Sequence, residues 1–119
     1  MHVFLNAGDG TYPVPENMRQ YPVGHNTFHL SAADLNGDGF LDLISSDQAS
    51  DTISLLYNNG DGTFQDRRAL AVRGRPESTG TGDLDGDGDV DIAVTSAETS
   101  TVVVFLNGGD EVFTEVRYQ

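Results

Sequence analysis

Asp34-Leu-Asn-Gly-Asp-Gly-Phe-Leu-Asp42 and Asp83-Leu-Asp-Gly-Asp-Gly-Asp-Val-Asp91 are the stretches that decide the reading of this chain. Each sets oxygen-bearing side chains two residues apart and places a glycine after the second and the third of them. A hard cation such as Ca²⁺ takes six to eight oxygen ligands at about 2.3–2.6 Å, so a short loop must curl tightly to supply them. Glycine permits the curl because it reaches positive φ without steric penalty. The first loop then offers the side chains of Asp34, Asn36, Asp38 and Asp42 with the carbonyl of Phe40. The second offers Asp83, Asp85, Asp87 and Asp91 with the carbonyl of Asp89.

An EF-hand would need a bidentate glutamate at its twelfth position and a helix on each side. Position twelve is Ser45 in one loop and Val94 in the other, and each loop has an aspartate at position nine instead. After the second loop Val90, Ile92 and Val94 alternate with Asp91, Ala93 and Thr95, the period of a half-buried strand. Both loops are therefore expected to close β-hairpins. A plain polar turn is the simpler account of one Asp/Gly-rich stretch. Two in one frame, with carboxylates at positions one, five and nine of both, favour metal. Calcium is preferred to magnesium, which keeps several waters in a tighter octahedron, and to thiolate or imidazole metals, since the loops hold no Cys or His. With four carboxylates against three carboxylates and an amide, the second loop is expected to bind more tightly.

The loops open 49 residues apart, and a second motif keeps nearly that beat. Val3-Phe-Leu-Asn-Ala-Gly-Asp-Gly-Thr-Tyr12, Leu55-Leu-Tyr-Asn-Asn-Gly-Asp-Gly-Thr-Phe64 and Val104-Phe-Leu-Asn-Gly-Gly-Asp-Glu-Val-Phe113 each end an apolar run in a turn, with Asn6, Asn58 and Asn107 at spacings of 52 and 49. A period of about 40–50 residues built of short strands is that of propeller blades with four strands each. The expected fold is all-β, about two and a half four-stranded β-propeller blades in one repeat domain, 1–119. Residues 1–26 form a partial blade with an Asn-turn hairpin, 27–77 the first full blade and 78–119 the second. Hairpins are expected near 2–14, 27–46, 53–66, 78–96 and 101–117.

The pattern Asp-x-Asp/Asn-Gly-Asp-Gly-x-x-Asp-Leu/Ile, followed by a strand and an Asn-x-Gly-Asp-Gly-Thr-Phe turn, resembles the FG-GAP/VCBS repeats of integrin-α-like β-propellers. The resemblance implies calcium-stabilised blades with two Ca²⁺ sites on the ligand sets named above. It also implies a setting in extracellular adhesion proteins, lectins, or bacterial surface or secreted proteins. Phe28-His29 stands where the Phe-Gly pair would be, and Ser46-Asp47-Gln48 and Ser96-Ala97-Glu98 replace Gly-Ala-Pro, which favours the VCBS-like variety over an integrin α-chain.

Two and a half blades leave open faces, because repeat units bury their apolar surface against neighbours. The chain is accordingly expected to be a piece of a longer propeller, a unit that closes a ring as a homo-oligomer, or an open stack completed by domain exchange. A formal charge of −13, from 6 basic and 19 acidic residues, argues against nucleic acid or an anionic membrane as partner. No run of about 20 apolar residues is present to insert into a membrane. The residues 1–5 are too few for the apolar core of a signal peptide. With no cysteine to report on the compartment, calcium itself points to an extracellular or cell-surface location. The ligand class implied is a protein or a glycan.

No catalytic constellation stands out. His2, His25 and His29 lack the partners of a zinc site, Gly-x-Ser-x-Gly does not occur, and a carboxylate held on a cation is a poor proton shuttle. A binding module, not an enzyme, is expected. Arg67, Arg68, Arg73 and Arg75 are read as a solvated connection between blades, or as a grip on an acidic partner. Tyr12, Tyr21 and Phe28 are read as filling between blades, or as a sugar platform.

Overall fold

The computed structural model describes residues 1–11 and 18–119. Within these residues ten strands run in chain order: β1 His2–Phe4, β2 Met18–Gln20, β3 Thr27–Ala33, β4 Asp42–Asp47, β5 Thr52–Leu56, β6 Arg68–Ala71, β7 Pro76–Gly82, β8 Asp91–Ser96, β9 Thr101–Asn107 and β10 Phe113–Tyr118. Among the described residues the helical content is one 3₁₀ turn, Gln48–Ser50. β3 to β6 make one four-stranded antiparallel sheet and β7 to β10 another, each ordered as in sequence. These are two propeller-like blades, and β1 with β2 forms a two-stranded partial one. β7 reaches back to Pro76, across the 77/78 division read from the repeat, because the left-handed Arg75, φ 61°, ends the preceding turn.

The first Asn turn forms as the repeat predicts, Ala7 N–H donating to the Thr11 carbonyl at 2.9 Å. Its returning strand is β2, which pairs His2 with Gln20 and Phe4 with Met18. The end of the expected 2–14 hairpin, Tyr12 included, lies outside the described residues.

Alternation explains the core. On β8, Ile92 and Val94 are fully buried while Thr95 is exposed, and on β9 Val103 and Phe105 are buried while Val102 keeps 40% of its surface. These inward residues meet Leu35, Ile44, Ile53, Leu55, Tyr57 and Val72, so the core lies between the two sheets. Burying one such aliphatic side chain is worth about 1.5–3 kcal/mol. Polar contacts stitch the inner strands across the same gap. Ser31 and Thr79 share a hydroxyl hydrogen bond of 2.7 Å, Thr79 also meets His29 Nδ1 at 3.2 Å, and Ser46 Oγ donates to the Glu77 carbonyl at 2.8 Å.

Antiparallel order puts the connections β3–β4 and β5–β6 at one end of their sheet, and β7–β8 and β9–β10 at one end of theirs. Each Asp-rich loop is thereby set beside the Asn turn of its own sheet.

Candidate metal centre

Position one builds each loop. Asp34 Oδ1 accepts the N–H of Gly37 at 2.8 Å and of Asp38 at 3.2 Å, and Oδ2 that of Gly39 at 2.9 Å. Asp83 repeats the pattern with Gly86 at 2.8 Å, Asp87 at 3.1 Å and Gly88 at 2.9 Å. The turn that aims three N–H groups at one carboxylate needs left-handed backbone, supplied by Gly37 and Gly39 at φ 73° and 88° and by Gly86 and Gly88 at 78° and 92°. The N–H of Gly88, aided by those of Gly86 and Asp87, holds the Asp83 carboxyl below its ordinary 3.8.

Positions three and five continue inward with the same bonds in both loops. Asn36 accepts from Asp38 N–H and Asp85 from Asp87 N–H, both at 3.3 Å. Asp38 accepts from Phe40 N–H at 3.0 Å and Asp87 from Asp89 N–H at 2.9 Å. At position seven the side chain turns away to the neighbouring Asn turn. A Cβ on Gly60 would meet the Phe40 ring at 2.8 Å, and one on Gly109 would meet Asp89 Oδ2 at 2.9 Å.

Position nine is the anchor. Asp42 and Asp91 are fully buried. Asp42 accepts Leu35 N–H on Oδ2 and Asn58 N–H on Oδ1, each at 2.8 Å. Asp91 accepts Leu84 N–H at 2.7 Å and Asn107 N–H at 2.8 Å in the same way. One carboxylate therefore closes its loop and ties that loop to the Asn turn. Burial pushes the Asp42 carboxyl above its ordinary 3.8, against the pull of the Asn58 and Leu35 N–H groups, and the charges of Asp38 and Asp34 add to the rise.

The donor set of the second loop fits a calcium-sized cation. One oxygen each from Asp83, Asp85 and Asp91 lie within 4.8 Å of one another, and oxygens about 2.3–2.6 Å from a shared ion stand at most about 5 Å apart. Asp87 does not join that cluster. Desolvation, then the neighbouring Asp87, pushes the Asp85 carboxyl above its ordinary 3.8. With Asn36 in place of the second carboxylate, the first loop forms no such cluster of three acids among the described residues.

The asparagines that marked the repeat in sequence have a role its spacing alone did not expose. Asn58 Nδ2 donates to the Leu41 carbonyl at 2.9 Å and Asn107 Nδ2 to the Val90 carbonyl at 3.0 Å, so each clamps the end of an Asp-rich loop. Asp47 was also missed. It is fully buried and accepts from Thr27 Oγ1 and Ser45 Oγ on one oxygen, and from Gly24 N–H and Ser54 Oγ on the other. The residue 49 positions on is Ser96, so the repeat gave no signal for a buried acid there.

The arginines serve separate neighbours. Arg68 lies 5.3 Å from the centre of the Phe113 ring and donates to the Glu111 carbonyl, Arg67 reaches Thr52 Oγ1, and Arg75 reaches Gln48 Oε1. Tyr21 packs edge-on against Phe64 at 5.4 Å and accepts its N–H, as a residue filling between blades does. Phe28 instead keeps 64% of its surface exposed, because it shares the face of β3 that points away from the second sheet.

The FG-GAP-like repeat family matches residues 1–45 and, overlapping them, residues 34–94. Neither the comparison with curated proteins nor that with solved structures gives a match.

Proposed function

The chain belongs to the FG-GAP-like repeat family, and on that premise we propose that it is a non-enzymatic calcium-binding β-propeller module for extracellular adhesion to a protein or glycan. Asp34, Asn36, Asp38, Asp42 and the Phe40 carbonyl would hold one Ca²⁺, and Asp83, Asp85, Asp87, Asp91 and the Asp89 carbonyl the other. Bound there, the ion supplies positive charge against carboxylates that otherwise repel one another.

The observation that carries this reading is the meeting of Asp83, Asp85 and Asp91 oxygens within 4.8 Å, in a loop whose bonds the first loop repeats. These residues serve geometry, not turnover: position one shapes the loop, and position nine joins it to the adjoining Asn turn. Calorimetric titration of the metal-free chain with Ca²⁺ tests the reading. Two bound ions are expected, and one fewer in Asp34→Asn and in Asp83→Asn. Absence of binding in the unaltered chain would refute it.

A second reading, a structural unit whose main partner is itself, draws on the open sheet faces. Phe28 and Leu30 on β3 are 64% and 50% exposed, and Val102 on β9 is 40% exposed. Light scattering in millimolar calcium separates the two: a closed oligomer supports self-assembly, a monomer the adhesion module.

A further inference from the structure

Asn107 belongs to the second sheet, yet its side chain reaches the first sheet's Asp-rich loop. Nδ2 donates to the Leu35 carbonyl at 2.6 Å as well as to the Val90 carbonyl at 3.0 Å. The side chain is 2% exposed and lies next to the core that the two sheets share. Leu35 follows the opening aspartate of the first loop, and its N–H is the one that Asp42 accepts at 2.8 Å. The Asn107 backbone N–H, in turn, is held by Asp91 at 2.8 Å. A continuous path therefore runs from Asp42 through Leu35 and Asn107 to Asp91, the closing residues of both loops.

The path is specific to the junction between sheets. Leu35 is 3% exposed beneath the second sheet, whereas its counterpart Leu84 is 56% exposed because no further sheet of the described residues covers it. Asn107 can donate to its own loop and to the preceding one because the second sheet is stacked on the first.

Resting on the calcium reading above, we propose that Asn107 couples the two cation loops, so that filling either one raises the affinity of the other. Ordering the second loop fixes Asp91 and, through it, Asn107. The Leu35 carbonyl then meets a donor already in place, and the first loop loses less conformational freedom when it closes on its ion. Coupling is reciprocal by thermodynamic necessity. Asn107 acts as a positioning residue; it contacts no cation itself.

The test is a calcium titration of the full chain and two single-loop variants. Asp83→Asn leaves the first loop to bind alone, and Asp34→Asn the second. The product of the two stepwise constants of the unaltered chain, divided by the product of the two single-loop constants, gives the coupling factor. A factor of about five or more is expected. Repeating the set in Asn107→Leu, which keeps the backbone N–H to Asp91 and loses both side-chain donations, is expected to return the factor to near one.

Two binding events with a factor of one in the unaltered chain would overturn the coupling and leave the calcium sites standing. A factor that persists in a folded Asn107→Leu would overturn the role of Asn107. No binding at all would remove the calcium reading and the coupling with it. If Asn107→Leu does not fold, Asn107→Ala, which likewise keeps the backbone N–H to Asp91 and carries no side-chain donor, decides the role of the side chain. The unaltered chain and its two single-loop variants already decide whether the loops are coupled.

Discussion

Asp42 and Asp91 each spend both carboxylate oxygens on backbone N–H groups from two segments, one in the loop and one in the Asn turn. Asparagine at either position keeps one acceptor and turns an NH₂ group towards the other N–H. Leaving a buried donor without its partner costs about 1–3 kcal/mol. Asp91→Asn is expected to lose that much in urea unfolding without calcium, whereas the exposed Asp38→Asn should stay within about 0.5 kcal/mol. Linkage gives Asp42 a further consequence. Because burial raises its carboxyl, the contribution of its protonated form is full below the ordinary 3.8 and is lost as pH rises through the folded value. At neutral pH the ion-free fold carries that cost, which a cation bound as proposed would offset. Asp83, held low, has the opposite sign: its contribution is present above 3.8 and lost as pH falls through its folded value. Protonation of Asp42 and Asp85, both raised above the ordinary 3.8, competes with the cation, so calcium affinity measured by titration should weaken as pH falls from neutral towards that value. An affinity that is flat over that range would contradict ligation by these two carboxylates.

At the scale of the hairpin, the strands were legible because the apolar alternation of β8, the apolar run of β9 and the spacing of Gly and Asp agree with each other. Loop and turn positions followed from the recurring Asp-rich and Asn-Gly-Asp motifs, 49 or 52 residues apart. What stayed hidden depends on contacts between hairpins. Asn58 and Asn107 stood out as markers, but their grip on Leu41 and Val90 follows from the antiparallel order that sets the Asn turn beside the Asp-rich loop. The burial of Asp47 depends on Gly24, 23 residues earlier, whose missing side chain leaves room for the carboxylate: a Cβ there would lie 2.5 Å from that of Asp47. Among the side chains offered as ligands, the loops differ at position three, Asn36 against Asp85. The second loop, with the extra carboxylate, is expected to bind Ca²⁺ more tightly, so Asp34→Asn should retain the higher single-loop affinity and Asp83→Asn the lower. The reverse order would show that burial under the second sheet outweighs charge in the first loop.

Across the whole molecule, the core lies between the two blades, and the outer faces lack a complete neighbouring blade. That asymmetry explains why Phe28 stays exposed while Tyr21 is packed, a distinction that no local pattern in the sequence carries. It also places both Asp-rich loops at the blade ends, where the first sends Leu35 into the shared core and the second packs Val90 against it. The chain carries −13 formal charges, and two Ca²⁺ would reduce this to −9. A cation that binds the folded state alone stabilises it by about 2.7 kcal/mol when present at 100 times its dissociation constant.

Thermal unfolding of the chain in millimolar calcium and in excess EGTA tests most directly whether the Asp-rich loops hold the blades through a bound ion. A rise in Tm of about 10 °C or more with calcium is predicted, and it should shrink in both Asp34→Asn and Asp83→Asn. Equal melting with and without calcium would contradict the account, leaving the loops as hydrogen-bonded turns that stabilise the blades without metal.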